Sequence, residues 1–132
     1  MVARAKVGCR GKGFTLIELM IVLAVVALLL SLAVPRYFHS VDKSKENVLL
    51  ANLATVRDAI DKYYGDNGRY PDSLEQLVDN RYLRTMPIDP VTTSTATWII
   101  VPPDKPERAG AVFDIHSGAT GQARNGTKYG DW

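Results

Sequence analysis

An apolar run from Phe14 to Val34 dominates the hydrophobic pattern, with only Thr15, Glu18 and Ser31 polar within it. As a helix it spans about 31 Å, at ~1.5 Å per residue, which is the thickness of a bilayer core. Beyond Pro35 the pattern changes. Val41, Val48, Leu49, Leu53, Val56, Ile60, Tyr63 and Tyr64 fall at helical spacing, while Asp42, Lys43, Lys45, Glu46, Arg57, Asp58, Asp61 and Lys62 make a solvated face. The two stretches predict one nearly continuous helix from Phe14 to about Tyr64, stopped by Gly65 and the following Asp66, Asn67 and Gly68. Pro35 lies inside it, has no N–H for the carbonyl of Ser31, and predicts a kink or a loosened turn.

The rest of the chain reads as short elements. Asp72 or Ser73 caps a brief helix, with Glu75 or Gln76 three residues on and Leu74, Leu77 and Val78 on one face. The two prolines in Met86-Pro87-Ile88-Asp89-Pro90 hold that stretch extended. Thr97–Val101 and Ala111–Ile115 predict two strands joined by the long connection Pro102–Gly110. The tail from Ser117 to Trp132 is read either as a further short strand or as a loop wrapping the sheet. The expected class is α+β: a long N-terminal α-helix, one half transmembrane and one half amphipathic, packed on a small antiparallel β-sheet head.

Charge adds a polarity to this picture. The net charge is +2, but Arg4, Lys6, Arg10 and Lys12 precede the apolar run without an acid among them. Removing those four from the 16 basic residues leaves 12 against 14 acidic ones, a net of −2. The positive charge therefore lies where it orients a membrane segment, on its cytoplasmic side. The remainder does not suggest a nucleic-acid surface, although Arg81 and Arg84 could form a local patch. Cys9, the one cysteine, lies in the same basic leader, so the rest of the chain offers no thiol chemistry. His39 and His116 lack ligand spacing, and no nucleophile–base pair, phosphate loop or metal cluster is visible. Asn125-Gly126-Thr127 matches a glycosylation pattern that is too short to weigh. Trp98 and Trp132 are expected to anchor the packing of the head.

The run Lys12-Gly13-Phe14-Thr15-Leu16-Ile17-Glu18-Leu19 resembles the class III signal peptide of type IV pilins and type II secretion pseudopilins. Gly68-Arg69-Tyr70-Pro71, Tyr82-Leu83 and Pro87-Ile88-Asp89-Pro90 extend the likeness over almost the whole chain, toward the major, G-type pseudopilin. The resemblance implies a cleaved leader (1–13), a transmembrane and assembly segment (14–34), the amphipathic half of the same helix (35–64) and a globular head (65–132). It implies that a prepilin peptidase cuts between Gly13 and Phe14 and methylates the amine of Phe14. It further implies a non-enzymatic subunit, resting in the inner membrane by a single pass with its head in the periplasm. There it would polymerise with itself and with minor pseudopilins, on an inner-membrane assembly platform, into a periplasmic filament that drives protein export. The alternative is a type IV pilin for adhesion, motility or DNA uptake. The chain departs from the family in two ways. Major pseudopilins usually bind calcium in the loop after the last strands, yet here Thr120 stands where an aspartate is common, Lys128 adds a positive charge, and Asp131 is the one obvious ligand. The cysteine pair of many type IV pilins is also absent.

Glu18 carries the chemistry that matters most. Its carboxylate lies four residues, about 6 Å along a helix, from Phe14, near enough to the interface to snorkel. Cleavage would give Phe14 an α-amino group that is mostly cationic at neutral pH, and monomethylation keeps that charge. Two unit charges ~4 Å apart attract by about 4 kcal/mol at an effective dielectric near 20. A lone charge in the bilayer costs a similar few kcal/mol. An intersubunit pair between Glu18 and the amine of a neighbouring Phe14 would offset that cost and reward one axial register.

Overall fold

The computed structural model describes residues 2–3, 8 and 11–132. Arg4, Lys6, Cys9 and Arg10 of the leader lie outside the described residues. Two compact units are present, Met1–His39 and Ser40–Trp132.

Helix α1 covers Leu16–Asn67, 52 residues, two residues later at its start than the hydrophobic pattern predicts. The reason is a cap. Thr15 accepts the N–H of Glu18 on its hydroxyl at 3.2 Å and the N–H of Leu19 on its carbonyl at 3.1 Å, so Thr15 precedes the first turn and Phe14 lies outside it. Glu18 falls in that first turn, where a carboxylate also meets the positive end of the helix dipole. The helix is assigned through Pro35 without interruption. In the first unit every described side chain is exposed, the whole apolar stripe included.

Within the second unit α1 has a core face. Leu49, Leu53, Val56, Ala59, Ile60 and Tyr63 are buried at spacings of three and four, as one helical stripe requires. Gly65 does not end the helix, contrary to expectation. The Tyr64 ring stacks on Tyr70 with centroids 4.4 Å apart, and Asn67 Nδ2 donates to the Tyr63 carbonyl at 2.9 Å, so side-chain contacts carry the helix one turn further. The stop is Gly68, at φ +66°, whose N–H donates to the Tyr64 carbonyl at 2.8 Å.

Helix α2, Leu74–Asp79, buries Leu74 and Leu77. Ser73 occupies its N-cap position without a side-chain cap bond, and the Gln76 side chain accepts the N–H of Asp72 at 2.8 Å instead. Strands β1, Trp98–Val101, and β2, Asp114–Ser117, pair antiparallel, with Trp98 opposite Ser117 and Val101 opposite Asp114. β2 begins three residues after the predicted strand. The displaced residues are paired elsewhere: Ala111 and Val112 both donate to the Pro71 carbonyl, at 3.0 and 2.9 Å, and Tyr70 donates to Ala109 at 2.8 Å. The tail resolves the open choice as a wrapped loop. An isolated bridge joins Gln122 and Lys128, and a 3-10 turn follows at Tyr129–Asp131, against β2. The core joins the α1 stripe to Tyr70, Leu74, Leu77, Leu83, Trp98, Val112 and Ile115.

Candidate functional site

The N-terminal site is built from a cap, a glycine and one carboxylate. Lys12, Gly13, Phe14 and Glu18 line a single open depression at the start of α1. Phe14 is 87% exposed. A Cβ added to Gly13 would meet nothing within 4 Å, and Gly13 has no left-handed backbone. The chain's own fold therefore does not demand glycine at this position. A residue type that the fold leaves free, placed in a fully exposed stretch, fits recognition by another molecule. The cap places the Glu18 carboxylate one turn from Phe14, with an exposed apolar surface following it along α1.

α1 is the one helix among the described residues long and apolar enough to cross a membrane. Pro35 has no N–H to donate, so the hydrogen-bond ladder lacks one rung inside α1, and Ser31 upstream donates its hydroxyl to the Leu28 carbonyl at 2.7 Å. Arg36, Tyr37 and Phe38 follow, exposed, with the two rings edge-on at 6.0 Å.

The predicted head residues lie apart. Trp98 is buried, and its indole N–H donates to the Pro87 carbonyl at 2.9 Å. Trp132 is partly buried against the edge of Tyr129, and its indole N–H donates to the Thr127 hydroxyl at 2.7 Å. Asp131 is exposed.

Four side chains to which the sequence pattern gave no such role organise the tail. Arg57 donates through Nε to Asp114 at 2.6 Å, and through Nη2 to the main-chain oxygens of Ile115 and Trp132, each at 2.9 Å. The Nδ1–H of His116 donates to that same Trp132 oxygen at 2.6 Å. Asp89 is fully buried; it accepts the N–H groups of Val91 and Thr92 on one oxygen and the Ser117 hydroxyl on the other. Glu46 accepts the N–H of Arg124 at 2.8 Å and the Tyr129 hydroxyl at 3.4 Å. Burial, with the Glu46 and Asp42 carboxylates nearby, pushes the Tyr129 phenol above its ordinary value. Two of these roles had a signal. Arg57 is four residues after Leu53 and three before Ile60, in step with the core stripe. Asp89-Pro90 at the start of a polar run reads as an Asx turn. The long-range partners Glu46 and Asp114 had none.

These contacts bear on calcium, which takes six to eight oxygens and usually several carboxylates. From Ser117 to Trp132 the sequence has Asp131 alone. The carboxylates that approach the tail from elsewhere, Asp89, Asp114 and Glu46, are already held by protein donors. Among the described residues no group of three or more His, Cys, Asp or Glu is placed to hold a metal ion. The donor set does not fit a calcium cage.

A capped, carboxylate-bearing apolar helix behind an exposed Gly-Phe junction, joined to a small α+β head, defines the pilin-like class of membrane-anchored subunits. Residues 9–34 match the prokaryotic N-terminal methylation motif. The chain is 32% identical over 97 residues to type II secretion system core protein G of Klebsiella pneumoniae, covering 61% of this chain and 69% of that relative. It is 29% identical over 140 aligned residues to the same-named protein of Pseudomonas aeruginosa, covering 91% and 94%. It is 34% identical over 68 residues to the type IV major pilin protein PilA of Myxococcus xanthus, covering 52% of this chain and 31% of that pilin. No solved structure matches. The chain belongs to the family of type II secretion system core protein G.

Proposed function

We propose that the chain is the major structural subunit of a type II secretion pseudopilus: processed after Gly13, methylated on Phe14, anchored in the inner membrane with its head in the periplasm, and polymerised into a filament that drives export. One observation carries this reading. Glu18 opens an apolar helix whose described side chains are all exposed, one turn from a glycine–phenylalanine junction that the fold itself does not require. A subunit that polymerises supplies what is missing there, a counter-charge for the carboxylate and neighbours for the apolar surface. Prepilin peptidase supplies the reason for Gly13. The likeness to core protein G of Pseudomonas aeruginosa covers 91% of this chain, whereas the likeness to the pilin covers 52% of this chain and 31% of that protein, which favours secretion over the pilus alternative. We also propose that the head folds without calcium, its tail held by protein donors.

The test separates processing from assembly. Glu18→Ala is expected to leave cleavage and methylation intact and to abolish filaments and secretion. Gly13→Arg is expected to leave the uncleaved chain in the membrane, seen as a larger band. Normal filaments from Glu18→Ala, or a strain lacking the gene that secretes normally but loses transformation, would sink the proposal.

A further inference from the structure

The head, Ser40–Trp132, carries two surface depressions of opposite charge. The first has a volume of 720 Å³ and lies between the start of the head's part of α1 and the tail. Lys43, Asn47 and Leu50 line it from α1, four and three residues apart and thus on one ridge, and Arg124 lines it from the tail. Leu50 is 49% exposed on that ridge. Lys43 and Arg124 enter no ion pair among the described residues. The other charges there are committed: Arg57 to Asp114, and Glu46 to the N–H of Arg124 and the Tyr129 hydroxyl. A carboxylate bonded to neutral donors keeps its charge, so Lys43 and Arg124 against Glu46 leave one net positive charge around an exposed leucine.

The second depression has a volume of 350 Å³ and lies over α2. Leu74, Val78 and Met86 give it an apolar floor; Glu75 and Asp79 supply its charge, and no base lines it. Neither carboxylate enters an ion pair among the described residues. Its own backbone N–H and the Ser73 hydroxyl hold Glu75 below the usual carboxylate range, so it stays anionic well below neutral pH.

The two depressions share no lining residue: one is built on α1 and the tail, the other on α2 and the stretch that follows it. A patch that fits a different patch on a second copy makes a heterologous contact, and such a contact propagates into an open polymer wherever its rotation does not close a ring. We infer that the acidic notch over α2 of one head receives the Lys43–Leu50 ridge and Arg124 of a second copy of this chain. Glu75 and Asp79 then face Lys43 and Arg124, and Leu50 is covered by Val78 and Met86. This inference rests on the filament reading above and adds to it the surfaces by which successive heads meet. Exposed charge pairs contribute little affinity, so the contact selects the stagger between heads more than it holds them together.

Because Cys9 is the one cysteine and lies in the leader, the processed chain is free of thiols for cross-linking. Full-length Asn47→Cys/Thr85→Cys protein, assembled in cells and oxidised, is expected to give a ladder of covalent multimers, while each single cysteine variant gives none. Lys43→Glu/Arg124→Glu and Glu75→Lys/Asp79→Lys are each expected to lower filament yield at least tenfold, and the quadruple exchange to restore it to within twofold. Normal wild-type filaments without a ladder, or a quadruple exchange no better than its halves, overturn the interface and leave the filament reading standing. Absence of filaments from the wild-type chain overturns both.

Discussion

Arg57 draws three oxygens onto one guanidinium: the Asp114 carboxylate and the main-chain oxygens of Ile115 and Trp132. The pair is half-buried, at 36% and 29% side-chain exposure, so its charge is only partly screened. Removing the arginine takes one donor from each of the three, with Asp114 keeping the N–H of Ile115 and the Trp132 oxygen keeping His116, and leaves the Asp114 charge without its partner. Arg57→Ala is expected to destabilise the head by about 2–3 kcal/mol, lowering the midpoint of thermal unfolding by roughly 10–20 °C. Arg57→Lys is expected to recover only part of this, since an ammonium cannot present the planar fork. Thermal unfolding of the full chain in detergent reads both. At this scale the N-terminal motif was legible in the sequence, because Gly13, Phe14 and Glu18 are near neighbours within one matched stretch, residues 9–34. The Arg57 cluster was not, because Asp114 and Trp132 reach it across 57 and 75 residues and pattern reading has no term for such partners.

Elements were predicted well where one period governs them and poorly where two segments compete for the same backbone groups. The stripe from Leu49 to Tyr63 follows from spacing alone. The start of β2 does not, since Ala111 and Val112 look like strand residues and are strand-like, but they serve Pro71. Gly110 makes that switch possible. It sits at φ +114°, and a Cβ there would lie 2.2 Å from the Tyr70 carbonyl oxygen. Gly110→Ala therefore meets both a backbone penalty and a main-chain clash, and is expected to cost roughly 2–4 kcal/mol. Gly126→Ala, where φ is +84° but nothing lies within 4 Å, serves as the control and is expected to cost about 1 kcal/mol. Urea unfolding midpoints compare the two; equal costs would remove the argument from close approach.

For the whole molecule, the distribution of titratable contacts sets when the head comes apart. Hydrogen bonding of the Tyr82 hydroxyl to Asp66, at 2.7 Å, raises the phenol above its ordinary value, with burial a smaller cause. Tyr129 is raised as well. A tyrosine whose folded value exceeds its unfolded one stabilises the fold below the unfolded value, near ~10, and that contribution is lost as pH rises through the folded value. The unfolding midpoint is therefore expected to fall above about pH 10, and less steeply in Tyr82→Phe. Calcium and a chelator are expected to leave the midpoint of the wild-type chain unchanged, because a ligand that does not prefer the folded state cannot shift it. If the head folds without calcium, as proposed, the Arg57 clasp has a use. A dissolved ion must be found at each new site of a growing polymer, and can be lost when its supply changes. A fastener carried in the chain is installed at synthesis, once per subunit, so a filament built from such heads would lengthen at a pace and to a stiffness that the mineral content of its surroundings does not dictate.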